Sequence, residues 1–573
     1  HSEMAKSSSE FVDPYVAQSV VYLRGDIDLS RLHRAVDSVV HRHPALRAGF
    51  VRTDSGAVVS VIPADVEVPW RTIDLRDHGL GDAEQHAEGV AHRDRIEPFD
   101  LGSPPLIRFA VVLMPDGRHR LIVTNHHIIL DGWSSPIVLG DLLAAYHVDD
   151  GQQSDGRVGD EHRGFHDYLG WLFAQDHDRA LAAWKSAMSV LEGPTVVASG
   201  STVEVTTQIS VTARTGTALC TRLAEVAREN EITLTEVVET VWALLLARMT
   251  GQDVVCFGET VSGRPSTLDG VESAVGLFIN TIPVVANVSS AGTFADAMNA
   301  VHEMKLSTLD HHHVDLAEIA AMSGHAALFD TLFVFESYPV DREAIAHAGD
   351  LGALRVDDVE MSDASHYPLT CSVSPVAAAD AGAGPDLEIR LAYSPDHLGQ
   401  AQVEALSRAF VHVLGQVAQR PSMPVADIGL LAPAELDAVV ESSQGTQVDV
   451  GNRTVADLFA STVASHPDSV ALIADDRILD YAELGARAAA LAHEIIAAGL
   501  GPDDVVLVYM PRSSATVVAF HGVVSNSSSD SSSSSSRRVT TTGRSTESPA
   551  AGMRPSSFIT SPPSVSYGPS GAR

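Results

Sequence analysis

Two adjacent histidines, His126 and His127, are followed by Asp131 and Gly132 in the segment NHHIILDGWS. A histidine with an ordinary pKa of about 6.5 can accept a proton near neutral pH, which suits general-base chemistry on an amine, a hydroxyl or a thiol. The Asp131 carboxylate can orient the loop or pair with a cation. The spacing lacks the i, i+4 histidine pair of a helix-borne zinc site, so it favours acid–base chemistry over metal binding. The simpler alternative is a histidine that lies in the core and whose hydrogen bonds are all made there.

The sequence on either side places these residues in a loop. Residues 121–125 have strand character, and apolar side chains recur at helical spacing through residues 134–146. The pattern therefore predicts a strand-to-helix loop. Loops held between rigid elements are favoured positions for catalytic groups.

Two stretches of alternating strand-like and helix-like segments predict a pair of α/β lobes. In the second, Thr233 and Glu236 are spaced as a capping box, and Gly251 is a stop signal for the helix between them. A polar, Gly- and Asp-rich segment separates the two stretches. We expect one lobe over residues 1–160 and the other over residues 161–430.

The composition of the sequence then changes twice after residue 430. Residues 431–453 are typical of a linker, and residues 454–524 of the start of another α/β domain. Residues 525–573 carry five Arg against one Asp and one Glu, in a chain of net charge −36. We expect this tail to be disordered because it has too few apolar residues for a core. So abrupt a reversal of charge suggests a shift of reading frame near Val524; a natural disordered tail is the alternative.

Composition limits the possible partners and location. With 38 basic against 74 acidic residues, the chain would repel nucleic acids and anionic membrane surfaces. Apolar runs fall short of the roughly 20 residues that a membrane span needs, and the N-terminal segment lacks a signal-peptide core. We therefore expect a cytoplasmic protein with no nucleic-acid or membrane partner. Cys220, Cys256 and Cys371 fit neither a disulfide framework nor a zinc site, so we expect buried thiols.

The segment HHIILDGWS resembles the active-site motif of nonribosomal peptide synthetase condensation domains, a branch of the chloramphenicol-acetyltransferase-like superfamily. Five further segments resemble that family in the same order: RHPALRAGF, FHDYLGW, GETVSGRPSTLDGVESAVGLFINT, LFDTLFVFES and LAYSPDHL. Together they span roughly residues 11–430. The resemblance implies an acyltransferase of antibiotic or other secondary metabolism. Its reaction joins a donor aminoacyl or peptidyl thioester to the α-amine of an acceptor aminoacyl thioester.

The resemblance also implies a fold and partners. Two acetyltransferase-like lobes form a V-shaped pseudo-dimer around a central tunnel. Donor and acceptor peptidyl carrier domains insert their 4'-phosphopantetheine arms from opposite faces, and the chain itself binds no cofactor and no metal. The family's first motif is missing, so we expect a truncated N-terminal lobe.

By the same resemblance, His127 is the catalytic histidine, which deprotonates or positions the acceptor amine, and His126 precedes it in the motif. Asp131 is implied to be structural and to pair with Arg47. Gly132 leaves room for substrate and can supply a backbone donor to the oxyanion. Asn280 is implied to shape the tunnel from the second lobe.

Residues 454–524 resemble the beginning of an adenylation domain but lack its phosphate loop, acidic nucleotide motifs and terminal lysine. We therefore expect no amino-acid activation, and carriers supplied by other synthetase modules. Four alternatives remain for the condensation-like part. An epimerisation domain usually needs a glutamate in a Gly-His-Gly-Arg-like context that is missing here, and heterocyclisation replaces the histidines by aspartates. The others are an acyltransferase that uses coenzyme A and a catalytically silent docking module.

Overall fold

The structure is a computed structural model that describes residues 13–147, 164–198, 208–289, 292–336, 354–362, 365–376, 384–446, 449, 451–501, 504–526 and 539–542. The chain divides into two compact units, residues 1–440 and 441–573. Most of the tail for which we predicted disorder and a shifted reading frame, residues 525–573, lies outside the described residues.

The first sheet of the larger unit has the strand order β11-β1-β6-β5-β4. Its strands are β1 (Val16–Gly25), β4 (Trp70–Asp74), β5 (Ile107–Leu113), β6 (Arg118–His126) and β11 (Leu354–Ser362). All neighbouring pairs are antiparallel except β4 and β5. A separate antiparallel hairpin joins β2 (Gly49–Arg52) to β3 (Val58–Val61).

Helices cover both faces of this sheet. They are α1 (Leu29–Arg42), α2 (Leu80–Ile96) and α3 (Ser134–His147). Successive side chains of a strand point to opposite faces. On β5, Phe109 and Val111 therefore pack with α1 and α3, whereas Ala110 and Val112 pack with α2. The strand and helix that the sequence predicts around the histidines are β6 and α3.

The edge strand β11 follows four strands of the second sheet in the chain, yet it pairs with β1 of the first. The lobe boundary that we predicted at residue 160 does not include this pairing, which places residues 354–362 in the first sheet. The sequence carries little signal for it because β11 is largely polar and exposed, and its burial pattern lacks a regular apolar face.

The second sheet has the order β7-β13-β12-β10-β8-β9. Its strands are β7 (Ile209–Arg214), β8 (Val254–Val261), β9 (Asn280–Asn287), β10 (Thr331–Phe335), β12 (Leu369–Val376) and β13 (Asp386–Tyr393). The accompanying helices are α4 (Gly164–Phe173), α5 (His177–Ala187), α6 (Thr217–Glu229), α7 (Leu234–Thr250), α8 (Phe294–Thr308), α9 (Leu316–Ser323) and α10 (Gln400–Gln419). Helix α11 (Pro433–Ser443) follows them.

Helix α7 is the centre of the second core. All of its residues from 236 to 247 are buried, as expected of a helix surrounded by other elements. Trp242 packs there with Phe410 of α10. The predicted capping box of Thr233 and Glu236 is present, and Gly251 ends the helix with a φ of 73°.

The smaller unit contains helices α12 (Val455–Ser465), α13 (Tyr481–Ala497) and α14 (Ser514–Asn526). Its strands are β14 (Val470–Ala474), β15 (Arg477–Asp480), β16 (Val506–Tyr509) and β17 (Val539–Thr542). β14 pairs antiparallel with β15, and β16 pairs parallel with β17.

Two further sequence expectations concern burial. Cys220, Cys256 and Cys371 are buried free thiols, as predicted, and desolvation raises the pKa of each. Raised thiol pKa values disfavour the reactive thiolate. Across the described ranges, no helix combines the length and the apolar character needed to cross a membrane.

The cap of α7 gives a test of the fold. The Thr233 hydroxyl accepts from the Glu236 backbone N–H at 3.2 Å, so Thr233→Ala leaves an N-terminal donor without its cap. We expect a loss of about 1 kcal/mol in the free energy of unfolding. Denaturant titration followed by tryptophan fluorescence measures it. Thr221→Ala is the matched control, because Thr221 is exposed within α6 and should cost little; equal losses in both variants would contradict the assignment.

Candidate active site

The motif histidines lie where β6 ends. His126 is the last residue of the strand, and His127–Ile129 form a single 3-10 turn. The backbone N–H of His127 donates to the carbonyl oxygen of Tyr15, the residue before β1, at 2.7 Å. The turn is therefore fixed by the neighbouring strand before any side chain is considered.

The His127 ring has a defined tautomer in its neutral form. Nδ1 lies 3.1 Å from the carbonyl oxygen of Leu130. A carbonyl oxygen can only accept, so Nδ1 carries the proton and the lone pair is on Nε2. Among the described residues, nothing hydrogen-bonds to Nε2. The partly exposed His127 ring therefore presents a basic nitrogen.

His126 has a different role from its neighbour. Its ring is buried, and Nδ1 accepts the backbone N–H of Ile128 at 3.1 Å. Nε2 lies 3.7 Å from Oδ2 of Asp13. Burial by itself raises the pKa of Asp13, but its contact with His126 and the Tyr15 N–H outweigh this and lower it. His126 thus holds the turn in place while His127 faces outward.

Asp131 is 1% exposed and joins the motif to the chain between β8 and β9. Its Oδ1 accepts the Ser134 N–H at 2.8 Å. Its Oδ2 accepts the N–H groups of Phe278 and Ile279 at 2.9 and 3.3 Å. The Arg264 Nη2 atom lies 3.4 Å from Oδ1. Hydrogen bonds to an ionised group are stronger than neutral ones, so this carboxylate ties segments of the two sheets together.

The predicted Arg47–Asp131 pair is corrected to Arg264–Asp131. Arg47 ends the 3-10 turn after α1, and its guanidinium donates to the carbonyl oxygens of His41, Pro63 and Ala64. All three carbonyl groups belong to residues near Arg47 in the chain, between residues 41 and 64. Arg264 instead follows β8 in the segment SGRP, which reaches the motif from the second sheet.

The sequence reasoning missed Ser134 as well as Arg264. The fully buried Ser134 hydroxyl donates to the Gly276 carbonyl at 3.0 Å, and it accepts from Arg264 Nη2 at 2.8 Å and from the Gly276 N–H at 3.2 Å. The Arg264 guanidinium also stacks on the Phe278 ring, 4.0 Å from its centroid. Burial lowers the pKa of Arg264, and Asp131 opposes that shift. The SGRP segment, which directly follows a buried strand, is a sequence signal that could have identified Arg264.

Gly263 explains why a glycine precedes that arginine. Its φ is +62°, in the left-handed region that glycine adopts at least cost. A Cβ atom at this position would lie 1.7 Å from the Phe278 carbonyl oxygen. The contact between the backbones of residues 263 and 278 therefore leaves no room for a side chain at residue 263.

The other two predicted site residues lie nearby in sequence or fold. Gly132 is partly exposed directly after Asp131. Asn280 begins β9, and its Nδ2 donates to the carbonyl oxygens of His312 and Val314, both at 2.8 Å. Asn280 therefore anchors the segment that contains three consecutive histidines, residues 311–313. Its role in shaping a tunnel and the roles of Gly132 stay predictions.

The three consecutive histidines follow helix α8. Burial lowers the pKa of His312 to about 4, which keeps its ring neutral. In the part of the chain that the structure describes, no group of three or more His, Cys, Asp or Glu could hold a metal ion. A cleft of about 980 Å³ lies elsewhere, against α1 and β4, and includes His33, Trp70 and Arg108. No predicted site residue lines this cleft.

Comparison with protein families identifies two matching segments of the chain. The condensation domain model matches residues 4–440. The chain belongs to the condensation domain family. A second model, the AMP-binding enzyme, matches residues 459–527. Condensation domains of nonribosomal peptide synthetases are acyltransferases that form amide bonds.

Relatives of this condensation domain are much longer proteins. A linear gramicidin synthase of Brevibacillus parabrevis is 30% identical over 511 residues, which cover 87% of the chain and 6% of the relative. Bacitracin synthase 3 of Bacillus licheniformis is 29% identical over 521 residues, covering 89% and 8%. The chain thus spans less than a tenth of either protein.

Solved structures support the chloramphenicol-acetyltransferase-like fold. The first condensation domain of the calcium-dependent antibiotic synthetase, in complex with a substrate analogue, matches with a TM-score of 0.58 and 22% identity. That match covers 74% of this chain and 95% of the other. The X-domain from teicoplanin biosynthesis matches with a TM-score of 0.64 and 22% identity, over 75% and 95%. At these identities the likeness concerns the fold alone.

A double-mutant cycle tests which arginine stabilises Asp131. We expect Asp131→Ala and Arg264→Ala to be coupled by roughly 0.5–3 kcal/mol in the free energy of unfolding, because they share one buried contact. Asp131→Ala and Arg47→Ala should be additive within about 0.5 kcal/mol. Denaturant titrations of the single and double variants give both values. Coupling to Arg47 instead would contradict the correction.

Proposed function

We propose that this condensation domain joins a donor aminoacyl or peptidyl thioester to the α-amine of an acceptor aminoacyl thioester. Both substrates are carried on phosphopantetheine arms of peptidyl carrier domains. The single observation that carries the proposal is the tautomer of His127. Its Nδ1–H is engaged by Leu130, so its Nε2 offers a lone pair at the exposed side of the turn.

The reaction requires one new bond and one broken bond. The acceptor nitrogen attacks the thioester carbonyl carbon, and the C–N bond forms while His127 Nε2 accepts or positions the proton of the amine. The C–S bond then breaks, and the leaving thiolate takes up a proton, which gives an amide and a free phosphopantetheine thiol. The Leu130 carbonyl keeps the ring oriented throughout these proton movements.

Three other groups are assigned supporting roles. Asp131, with Arg264, fixes the loop after His127 against the second sheet. The backbone N–H of Gly132 is the donor that we assign to the oxyanion that develops on the thioester carbonyl. Asn280, through its hold on residues 312–314, shapes the tunnel on the side of the second sheet.

The proposal also covers partners and location. The carriers are domains of this or other synthetase modules, and the chain needs no metal or bound cofactor of its own for the transfer. The formal charge of −36 disfavours nucleic acids and anionic membranes as partners. We also propose a cytoplasmic location, which the carrier-bound substrates of this proposal and the composition of the chain support.

Reconstitution with loaded carriers tests the function. A donor aminoacyl carrier and an acceptor aminoacyl carrier are mixed with the chain, and dipeptidyl carrier is followed by intact-protein mass spectrometry. We expect His127→Ala to lower the rate at least 100-fold, within the range for loss of a general acid–base group. His177→Ala is the control, because this exposed histidine contacts Glu318 far along the chain from the motif. A His127→Ala rate equal to that of the parent chain would refute the assignment.

A further inference from the structure

The backbone of Tyr15 holds the catalytic turn. The Tyr15 carbonyl oxygen accepts the N–H of His127 at 2.7 Å, and the Tyr15 N–H donates to Oδ1 of Asp13 at 2.9 Å. Asp13 Oδ2 lies 3.7 Å from His126. Any displacement of Tyr15 is therefore passed directly to both motif histidines.

The side chain of Tyr15 makes two further contacts. Its ring stacks on the ring of His126, with centroids 6.1 Å apart and an interplanar angle of 26°. Its hydroxyl lies 3.4 Å from Nδ1 of His366. The His366 ring in turn packs against Tyr367, with centroids 4.2 Å apart. These rings form a continuous path from the motif to residue 366.

His366 occupies a special place in the topology. It lies between β11, the edge strand of the first sheet, and β12, an interior strand of the second. The chain crosses from one sheet to the other at this point. A contact between His366 and Tyr15 therefore links this crossing to the start of β1.

The ionisation states of the pair suit a hydrogen bond. Desolvation lowers the pKa of His366 and, with Asp13, raises that of Tyr15. At neutral pH the phenol is thus protonated and the imidazole is neutral, so the Tyr15 hydroxyl can donate to Nδ1. The His366 side chain is nevertheless exposed, so its ring faces solvent while protein surrounds it on other sides.

We propose that His366 is a positioning residue for amide formation, which acts through the Tyr15 hydroxyl on the turn that bears His127. The inference rests on the proposed function. His366 does not need to touch the substrate. Its nitrogen restrains the Tyr15 ring, the ring restrains His126, and the Tyr15 carbonyl restrains the backbone of His127. Since misplacement of a catalytic group by 1 Å can cost about 100-fold in rate, a partial loss of this restraint should be measurable.

Four variants of the full chain test the proposal: Tyr15→Phe, His366→Ala, His366→Asn and the double variant Tyr15→Phe/His366→Ala. We expect Tyr15→Phe and His366→Ala each to lower kcat about tenfold, with KM for the acceptor carrier changed less than twofold. The double variant should be no slower than the slower single variant, because both remove the same contact. His366→Asn keeps an acceptor near the position of Nδ1 and should recover most of the rate.

Several results would overturn the proposal. A double variant about 100-fold slower than the parent would mean that the two residues act independently. His366→Asn as slow as His366→Ala would mean that hydrogen-bond acceptance is irrelevant. A change confined to KM would indicate carrier or substrate binding instead. His177→Ala is the control for loss of an exposed histidine elsewhere.

A second measurement does not depend on turnover. In protein labelled with ¹³C at histidine Cε1, the His127 signal is assigned by its loss in His127→Ala. We expect this signal to shift in Tyr15→Phe and in His366→Ala, to return towards its parent position in His366→Asn, and to stay in place in His177→Ala. An unmoved His127 signal in the first two variants would refute the positioning role. If the parent chain makes no dipeptide, the proposed function fails, while the shift still tests the contact.

Discussion

The buried carboxylate of Asp131 is the constraint on which the rest of the site depends. A charge taken out of water costs several kcal/mol unless it is paired and hydrogen-bonded. Three backbone N–H groups and Arg264 satisfy it here. Two of those N–H groups and the arginine belong to the chain around β8 and β9. The position of the histidine turn is therefore set by the second sheet as much as by the strand that bears it.

The Ser134 hydroxyl adds a second constraint between the same two segments through neutral hydrogen bonds to the backbone. One hydroxyl can donate one hydrogen bond and accept two, and all three are used, towards the Gly276 backbone and Arg264. The helix α3 thus starts at a point fixed by the facing segment. Because Gly263 allows its own segment to approach Phe278 so closely, the arginine, the serine and the carboxylate meet within one small volume.

The local part of the site could be predicted from the sequence, and its long-range part could not. The turn after β6 followed from the strand-like and helix-like patterns on either side, and the cap at Thr233 followed from residue spacing. The partner of Asp131 did not, because Arg47 and Arg264 are both arginines in motif-like segments. Which of the two arginines contacts Asp131 depends on which chain segment packs against the motif. The strand β11 was missed for a related reason, since its polar, exposed pattern gives no sign of a pairing with β1.

The return of β11 to the first sheet has a consequence for how the molecule is made. A ribosome must synthesise the chain through residue 362 before β1 can gain this neighbour, and by then it has also synthesised the residues of β7 to β10 of the second sheet. Until that moment β1 is an edge with unpaired backbone groups, a template for wrong pairings. Because the chain returns to the first sheet after forming part of the second, the two sheets belong to one folding unit. A cut between them, however well placed in the sequence, would separate an edge strand from its partner.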